Sequence, residues 1–403
     1  DSVPVVLVHF GDAARLALAD TTMTIIHVFE RNEYTERGAA NILFGAQAAS
    51  AVLPDAVGLR FAAGAGLSLP KVSLKYGLPR EEGISPEKLV GIDAIAGSAI
   101  DRKIIPGCQV LVAQNGNIIY SKSFGKHSYN GGPEVTQASL YDIASITKVA
   151  ATTLVMMQLK DAGKVALDNP VRQFIPSAKG KNGNITFRQL LTHTSGLQPS
   201  LPIAAYVRSP LARRRASSSN FSKTPQRGYR VEVAKDLYFK DALRTSLLNS
   251  LYRLPVSSRG GVRYSDVNMV ILQQILEKAS GRSLDRYARE AFYKPLGLQR
   301  TTFLPRKYFS LDEIAPTEND TRWRRQIVHG YVHDPAAALL GGVAGHAGLF
   351  STAEDLAVIF QLLLDEGSYG GRQYIDPATV KLFTGSDSKS KRGLGFDKPR
   401  PVK

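Results

Sequence analysis

Cysteine is almost absent from this 403-residue chain: Cys108 stands alone. That excludes an internal disulfide and a thiolate metal cluster, and the surrounding GCQVLVAQ reads as a buried strand in which Cys108 packs. The compartment stays open, because secreted proteins need not carry disulfides. Long apolar runs are missing as well, and nothing approaches the roughly 18 to 20 residues of a membrane span. The opening DSVPVVLVHFG lacks the basic, apolar and small-residue succession of a signal peptide. It also lacks an initiating Met, as expected of a piece of a longer protein. Acidic residues are missing from one place, residues 208 to 230, where seven basic residues contribute to a net charge of +16. A nucleic-acid surface and a solvated, mobile insert both fit that stretch. Three consecutive serines and the lack of an apolar period favour the insert, with weak attraction to anionic polymers or lipid in either case.

What is present suits a globular chain of two or three domains, with 43% hydrophobic and 8% aromatic residues. Residues 3 to 10 and 22 to 29 are near-continuous apolar runs, and residues 34 to 50 have helical spacing. Strands apolar on both faces suit a parallel sheet covered by helices. The expected organisation is an α/β part at 1–67, too short for a normal doubly wound domain, a linker of Pro, Lys and Glu at 68–88, and a main domain at 89–403. Helices are expected over residues 87 to 103, 146 to 162 (stopped at Gly163), 187 to 193, 267 to 280, 284 to 297 and 353 to 367. Ser351 stands three before Glu354 at the start of the last, in a capping-box arrangement. Asn115-Gly116 between two apolar runs signals a two-residue hairpin.

Ser-x-x-Lys occurs six times, beginning at Ser68, Ser85, Ser123, Ser145, Ser386 and Ser388. A serine hydroxyl attacks a carbonyl at neutral pH only when a base takes its proton. Residues three apart on the first turn of a helix share a face, and the free N–H groups there suit an oxyanion. Only Ser145 in YDIASITKVAATTLVMMQL has that context, an extended lead-in followed by an apolar helix. Ser68 and Ser85 adjoin prolines, Ser123 lies in a hairpin strand, and the last two lie in a polar loop. At this level Ser145 and Lys148 are equally well read as an N-cap hydroxyl and a solvated lysine. Tyr264 in YSDVN precedes a helix, where a phenol near a lysine amine could relay a proton; a tyrosine packed at a strand end is the plainer reading.

Four ordered stretches then carry a resemblance: YDIASITKVAATTLVMMQLKDAGKVALDNPVRQFIP, ITFRQLLTHTSGL, YSD and GGVAGHAGLFSTAEDLA. Over roughly residues 80 to 400 the chain resembles the serine β-lactamase and penicillin-binding superfamily, in its class C and esterase-like branch. The resemblance implies an α+β fold, with an antiparallel sheet flanked by helices plus a helical subdomain. It implies Ser145 as the acylated nucleophile, Lys148 as its base and Tyr264 as proton relay. Asp266 stands where many members have an Asn that binds the substrate's side-chain carbonyl, so it enters as a substrate-binding candidate. An ionised Asp266 near Lys148 would favour the ammonium, against a role as neutral base, so Asp266 is expected to point away, to be protonated, or to join a variant proton network. The family's late-strand K-T-G, H-T-G or H-x-G motif has no counterpart after KRGLGFDKPRPVK. His346 in GHAG is assigned to a structural glycine turn instead. The chain is therefore expected to stop short of that strand and to be impaired, by about 100- to 1,000-fold for one lost oxyanion donor.

The front end, with VPVVLVHFGDAARLAL and TIIHVFERNEYTERGAANILFGAQAASAVLPDAVG, resembles the end of the C-terminal α/β domain of family 3 glycoside hydrolases. Bacteroidetes-type envelope proteins join such a β-N-acetylglucosaminidase-like module to a β-lactamase-like one. The resemblances together imply a cell-wall peptide, amide, β-lactam or ester substrate and a periplasmic or envelope location. No cofactor, no metal, no specific nucleic-acid partner and no transmembrane segment is expected from the residues. A module that binds wall fragments without turnover and a non-catalytic appendage are the rival readings. His329 and His333 in VHGYVHDP have ligand-like spacing, but Gly330 and Asp334-Pro335 argue for a loop. His193 in LTHTSGL reads as a locally bonded helix-end histidine. The glycines of 341 to 348 lack the context of a nucleotide loop.

Overall fold

The computed structural model describes residues 5–20, 23–207 and 219–399. The arginine-rich part of the basic segment, residues 208 to 218, lies outside them. The chain divides into two compact units, one formed by residues up to Pro86 with Val112–Tyr120 and Ser368–Gln373, the other by the rest.

In the first unit β1 (Val6–Phe10) pairs in parallel with β2 (Thr24–Val28), as continuous apolar runs imply. α1 (Glu33–Leu43) follows, its N-terminus closed by Asn32, whose side chain accepts from the Tyr34 and Thr35 N–H groups while Thr35 Oγ1 accepts from Asn32 N. The helix expected to residue 50 stops at Leu43 because Gly45 adopts φ +69, the left-handed exit that glycine permits. A Cβ there would lie 2.5 Å from Val72 Cγ2. The short β3 (Lys75–Tyr76) follows.

The second unit begins with α2 (Pro86–Asp101), followed by β4 (Gly107–Gln114) and β5 (Asn117–Gly125). Asn115 and Gly116 both have positive φ (49° and 73°), the requirement of the expected two-residue turn. The tip of this hairpin belongs to the first unit, where Lys75 and Tyr76 of β3 pair with Asn117 and Ile118. Cys108 is half-buried in β4 rather than fully buried, and burial raises its thiol pKa.

After β6 (Tyr141–Asp142) a tight turn, Ala144–Ile146, leads into a widened helical segment, Lys148–Thr153, and then α3 (Leu154–Asp161). A wide turn of this kind within a helix is a recurrent mark of functional sites. Short helices α4 (Gly180–Asn184), α5 (Phe187–Leu191) and α6 (Ala204–Val207) follow. The described end of the basic segment is not a mobile insert: β7 (Phe221–Ser222) and β8 (Val231–Ala234) flank β9 (Leu237–Phe239) in an antiparallel sheet. Phe221, Val231, Leu237 and Phe239 are buried there, an apolar alternation hidden in the sequence by the neighbouring charges.

Helix α7 (Asp241–Leu251) precedes α8 (Asp266–Ser280), which is buried almost all round and packs on α3 and α5, as a helix apolar on every face must. α9 (Leu284–Ala288) continues as a widened turn through Tyr293. Next come β10 (Thr302–Phe303), β11 (Glu318–Asp320), β12 (Gln326–Val328) and α10 (Pro335–Leu339). β13 (Leu349–Ser351) then pairs antiparallel with both β10 and β6. α11 (Ala353–Leu364) is capped by Thr352, not by the expected Ser351. Thr352 Oγ1 accepts from Asp355 N, whereas Ser351 ends β13 and its hydroxyl bonds Thr301. Among the described residues no helix is long and apolar enough to cross a membrane.

Candidate active site

β6 ends beside the motif serine, and its last residue shapes the turn. Asp142 Oδ1 accepts from Ala144 N (2.8 Å) and Oδ2 from His333 N (2.6 Å). Burial raises the Asp142 pKa, and these two N–H groups oppose the rise. Ala144 is held at φ 44, a left-handed conformation costing on the order of 1 kcal/mol for a residue with a Cβ. The turn exposes Ser145 while Thr147 and Lys148 point inward.

Lys148 is 4% exposed. Its Nζ donates to Ser145 Oγ at 2.6 Å and to the His346 carbonyl at 3.2 Å. Asp266, the first residue of α8, places Oδ1 2.8 Å from the same nitrogen. That oxygen is buried and accepts no well-aligned hydrogen bond, so the contact is one of charge. Tyr264 sets its ring centroid 4.9 Å from Lys148 Nζ. Ser145, Lys148, Tyr264 and Asp266 are thus brought together, and Asp266 faces the lysine instead of pointing away.

Two loops hold this group. In the first, His193 has φ 57 and is buried. Its Nδ1 accepts from Ser265 N (3.2 Å) and lies 3.1 Å from Asn268 Nδ2, which places the ring proton on Nε2. Burial first, then the charges of Arg392 and Lys148, lower its pKa to about 3. The ring packs 4.7 Å from that of Tyr264, Arg263 N donates to the His193 carbonyl and Asp266 N to that of Pro199. The His193 backbone N–H bonds locally to the Leu190 carbonyl, as expected of a helix end, while its ring bonds across 72 and 75 residues and anchors the Tyr264–Asp266 turn.

The second loop is GHAG. Gly345 approaches α8 so closely that a Cβ would lie 2.2 Å from the Met269 carbonyl oxygen; only glycine fits. Its N–H donates to Gln273 Oε1 and its carbonyl accepts from Thr152 Oγ1 (2.7 Å). This clamp aims the next carbonyl, that of His346, at Lys148. The His346 ring is buried, with Nε2 2.8 Å from Asp334 Oδ1. Burial would raise the Asp334 pKa, but the hydrogen bond and charge of His346 outweigh it, with help from Ala337 N and Lys148, and bring it to about 2. The glycine turn is structural, as expected, yet it also brings His346 to the site.

One ligand atom from each of Asp266, Asp334 and His346 lies within 4.8 Å of the others, close enough for a metal ion. Lys148 already supplies a cation to Asp266 there. His329 and His333 face apart: His329 Nε2 meets the Leu311 and Ile314 carbonyls and His333 pairs with Glu318.

The model of the beta-lactamase family matches residues 92–401. A protein of Escherichia coli (strain K12) named "Putative D-alanyl-D-alanine carboxypeptidase" is 32% identical over 348 residues, covering 79% of this chain and 74% of that protein. The chain belongs to the beta-lactamase family. Its fold is similar to that of the octameric penicillin-binding protein homologue from Pyrococcus abyssi, with TM-score 0.55 and 20% identity over 76% of this chain and 64% of that one. It is likewise similar to a class C beta lactamase from Rhodobacter sphaeroides, with TM-score 0.53 and 19% identity over 77% and 76%. These solved structures support the β-lactamase-like fold.

Asp142, His193, Asp334 and the His346 carbonyl were not legible as site groups. One signal was available: Asp334-Pro335 is an N-cap followed by proline at the first helical position. Asp334 caps α10 through Ala337 N (2.7 Å), so the apparent loop ending is a helix start that fixes Asp334 toward His346.

Proposed function

We propose that this chain is a serine hydrolase or acyl-transferase that forms an acyl-enzyme on Ser145. The observation that carries the reading is Lys148 Nζ, 2.6 Å from Ser145 Oγ on one side and 2.8 Å from Asp266 Oδ1 on the other. Acylation needs Lys148 as the neutral amine, already in hydrogen-bond reach of the serine hydroxyl, with Asp266 beside it as its charge partner. As Oγ bonds to the substrate carbonyl carbon, the hydroxyl proton passes to Lys148. It then reaches the leaving amine or alkoxide as the carbonyl re-forms, with the Tyr264 phenol as relay. Water attacks the acyl-enzyme and gives its proton to Lys148, which returns it to Ser145 Oγ. Asp266 in this reading acts on the lysine; the sequence-based alternative, contact with the substrate, is compatible with its quarter-exposed side chain.

The relative's name points to peptides ending in D-alanyl-D-alanine as substrates, which suits an envelope location and cell-wall metabolism. The test is release of D-alanine from such a peptide, with a Ser145→Ala control. Turnover that disappears in the variant supports the proposal. A stoichiometric adduct on Ser145 without product would favour the binding-only reading, and no adduct on folded protein the appendage reading.

The parallel pairing of β1 with β2 followed by α1 is α/β in kind, and reading it as the end of a family 3 glycoside hydrolase domain rests on the sequence resemblance alone. β-N-acetylglucosaminidase activity of the natural full-length polypeptide would test it.

A further inference from the structure

A cavity of about 780 Å³ lies in the second unit between α7, β8 and the loops at 304–307, 330–331 and 341. That is the size of a small-molecule site. Four cations and two acids line it. The acids are already engaged: Asp241 with Arg230 at 2.7 Å, and Glu232 with Arg306 at 3.1 Å and with the Tyr331 hydroxyl at 2.6 Å. Arg306 also stacks 4.4 Å from the Tyr331 ring centroid, which Gly330 permits, since a Cβ there would lie 2.6 Å from Arg306 Cγ. The remaining cations, Arg244 and Lys307, have no ion-pair or side-chain hydrogen-bond partner among the described residues. The wall between them is apolar, with Leu248 and Leu304. Two positive charges without a close ion pair, Arg244 acting on Asp241 only at longer range, over an apolar floor suit a carboxylate on a short carbon chain.

Two segments that line the cavity run on toward residues around Ser145 and Lys148. Tyr331 in its wall is three residues from Asp334, which bonds His346, and two from His333, whose N–H bonds the Asp142 that shapes the Ser145 turn. Gly341, also in its wall, is five residues from His346, whose carbonyl accepts from Lys148. At about 3.3 to 3.6 Å per residue these links reach at most about 11 and 18 Å, the span of a short peptide.

We propose that this cavity is a subsite for a carboxylate on the acyl side of a peptide substrate, remote from the bond that Ser145 attacks and held by Arg244 and Lys307. The proposal rests on the reading of Ser145 as nucleophile only for the orientation of the peptide; binding tests it separately. The experiment is calorimetry on the Ser145→Ala chain with two peptides ending in D-alanyl-D-alanine, one carrying glutamate and one glutamine immediately before that dipeptide. The expected result is at least about tenfold tighter binding of the acidic peptide at low salt, an advantage reduced to near unity in Arg244→Gln/Lys307→Gln and weakened by added salt. Equal affinity for the two peptides, binding of neither, or an advantage that survives the double substitution would overturn it. D-Alanine release without acidic preference would sink the subsite while sparing the nucleophile. Acidic preference without release would do the reverse.

Discussion

Two groups of charges in the second unit are built by opposite rules. Around Lys148 every charge is buried or half-buried and has a partner within 3 Å: Ser145 Oγ, Asp266 and the Asp334–His346 pair. In the cavity by α7, Arg244 and Lys307 are exposed and unpaired among the described residues. The first arrangement fixes geometry, because a charge in a low-dielectric interior is costly unless its partners are in place. The second leaves charge available to a ligand and contributes little to the fold. Chemistry is proposed for the paired group and selection for the unpaired one.

The sharpest break falls on the paired group. Ser145→Ala should lower turnover by about 10⁴- to 10⁶-fold while costing only about 1 kcal/mol of stability, for the hydrogen bond lost to Lys148 at an otherwise exposed site; kinetics and thermal melts check both. Lys148→Ala should cost about 10²- to 10⁴-fold in kcat/KM. It should also destabilise by up to about 3 kcal/mol, less than for a fully buried pair because Asp266 keeps some solvent; urea unfolding reads this. Asp266→Asn keeps the shape but removes the charge beside Lys148, and should slow acylation by about 10- to 100-fold. An acylation rate matching the parent's would remove Asp266 from the activation of Ser145.

A gentler probe is pH. His193, with its pKa lowered from 6.5 to about 3, stays neutral in the fold while the unfolded chain takes up a proton below about 6.5. Its contribution is therefore full above that pH and declines as pH falls toward about 3. Asp334 joins between 3.8 and about 2, where its folded carboxylate holds out against protonation. The melting temperature should fall through pH 6.5 to 4, and His193→Asn should flatten that decline; an unchanged slope in the variant would contradict the buried neutral histidine. The smallest effect belongs to the open group: Arg244→Gln should shift stability by no more than about 0.5 kcal/mol, and a larger loss in urea unfolding would mean that Arg244 is structural.

The same division explains what the sequence could reveal. Ser145 and Lys148 were legible because their three-residue spacing is local and an apolar helix follows. The Asn115-Gly116 turn and α8 were legible for similar reasons, a turn dipeptide and a long apolar period. The groups that complete the site act over long separations and largely through the backbone. The His346 carbonyl meets a lysine 198 residues earlier, and His193 Nδ1 receives a backbone N–H 72 residues later. A carbonyl or N–H leaves no residue-type signature, so no spacing rule could single it out. Asp266 shows a third limit: its identity was plain, but its direction depended on where α8 begins, and a start at Asp266 turns its carboxylate onto Lys148.

The central claim is that Lys148, coupled to Asp266, activates Ser145. Its most direct test is the rate of covalent modification by a fluorophosphonate, read by intact mass on the parent chain, Ser145→Ala and Asp266→Asn. The account predicts one adduct on the parent, none on Ser145→Ala, and labelling at least about tenfold slower on Asp266→Asn. An unlabelled, folded parent, or equal labelling of Ser145→Ala, would contradict it.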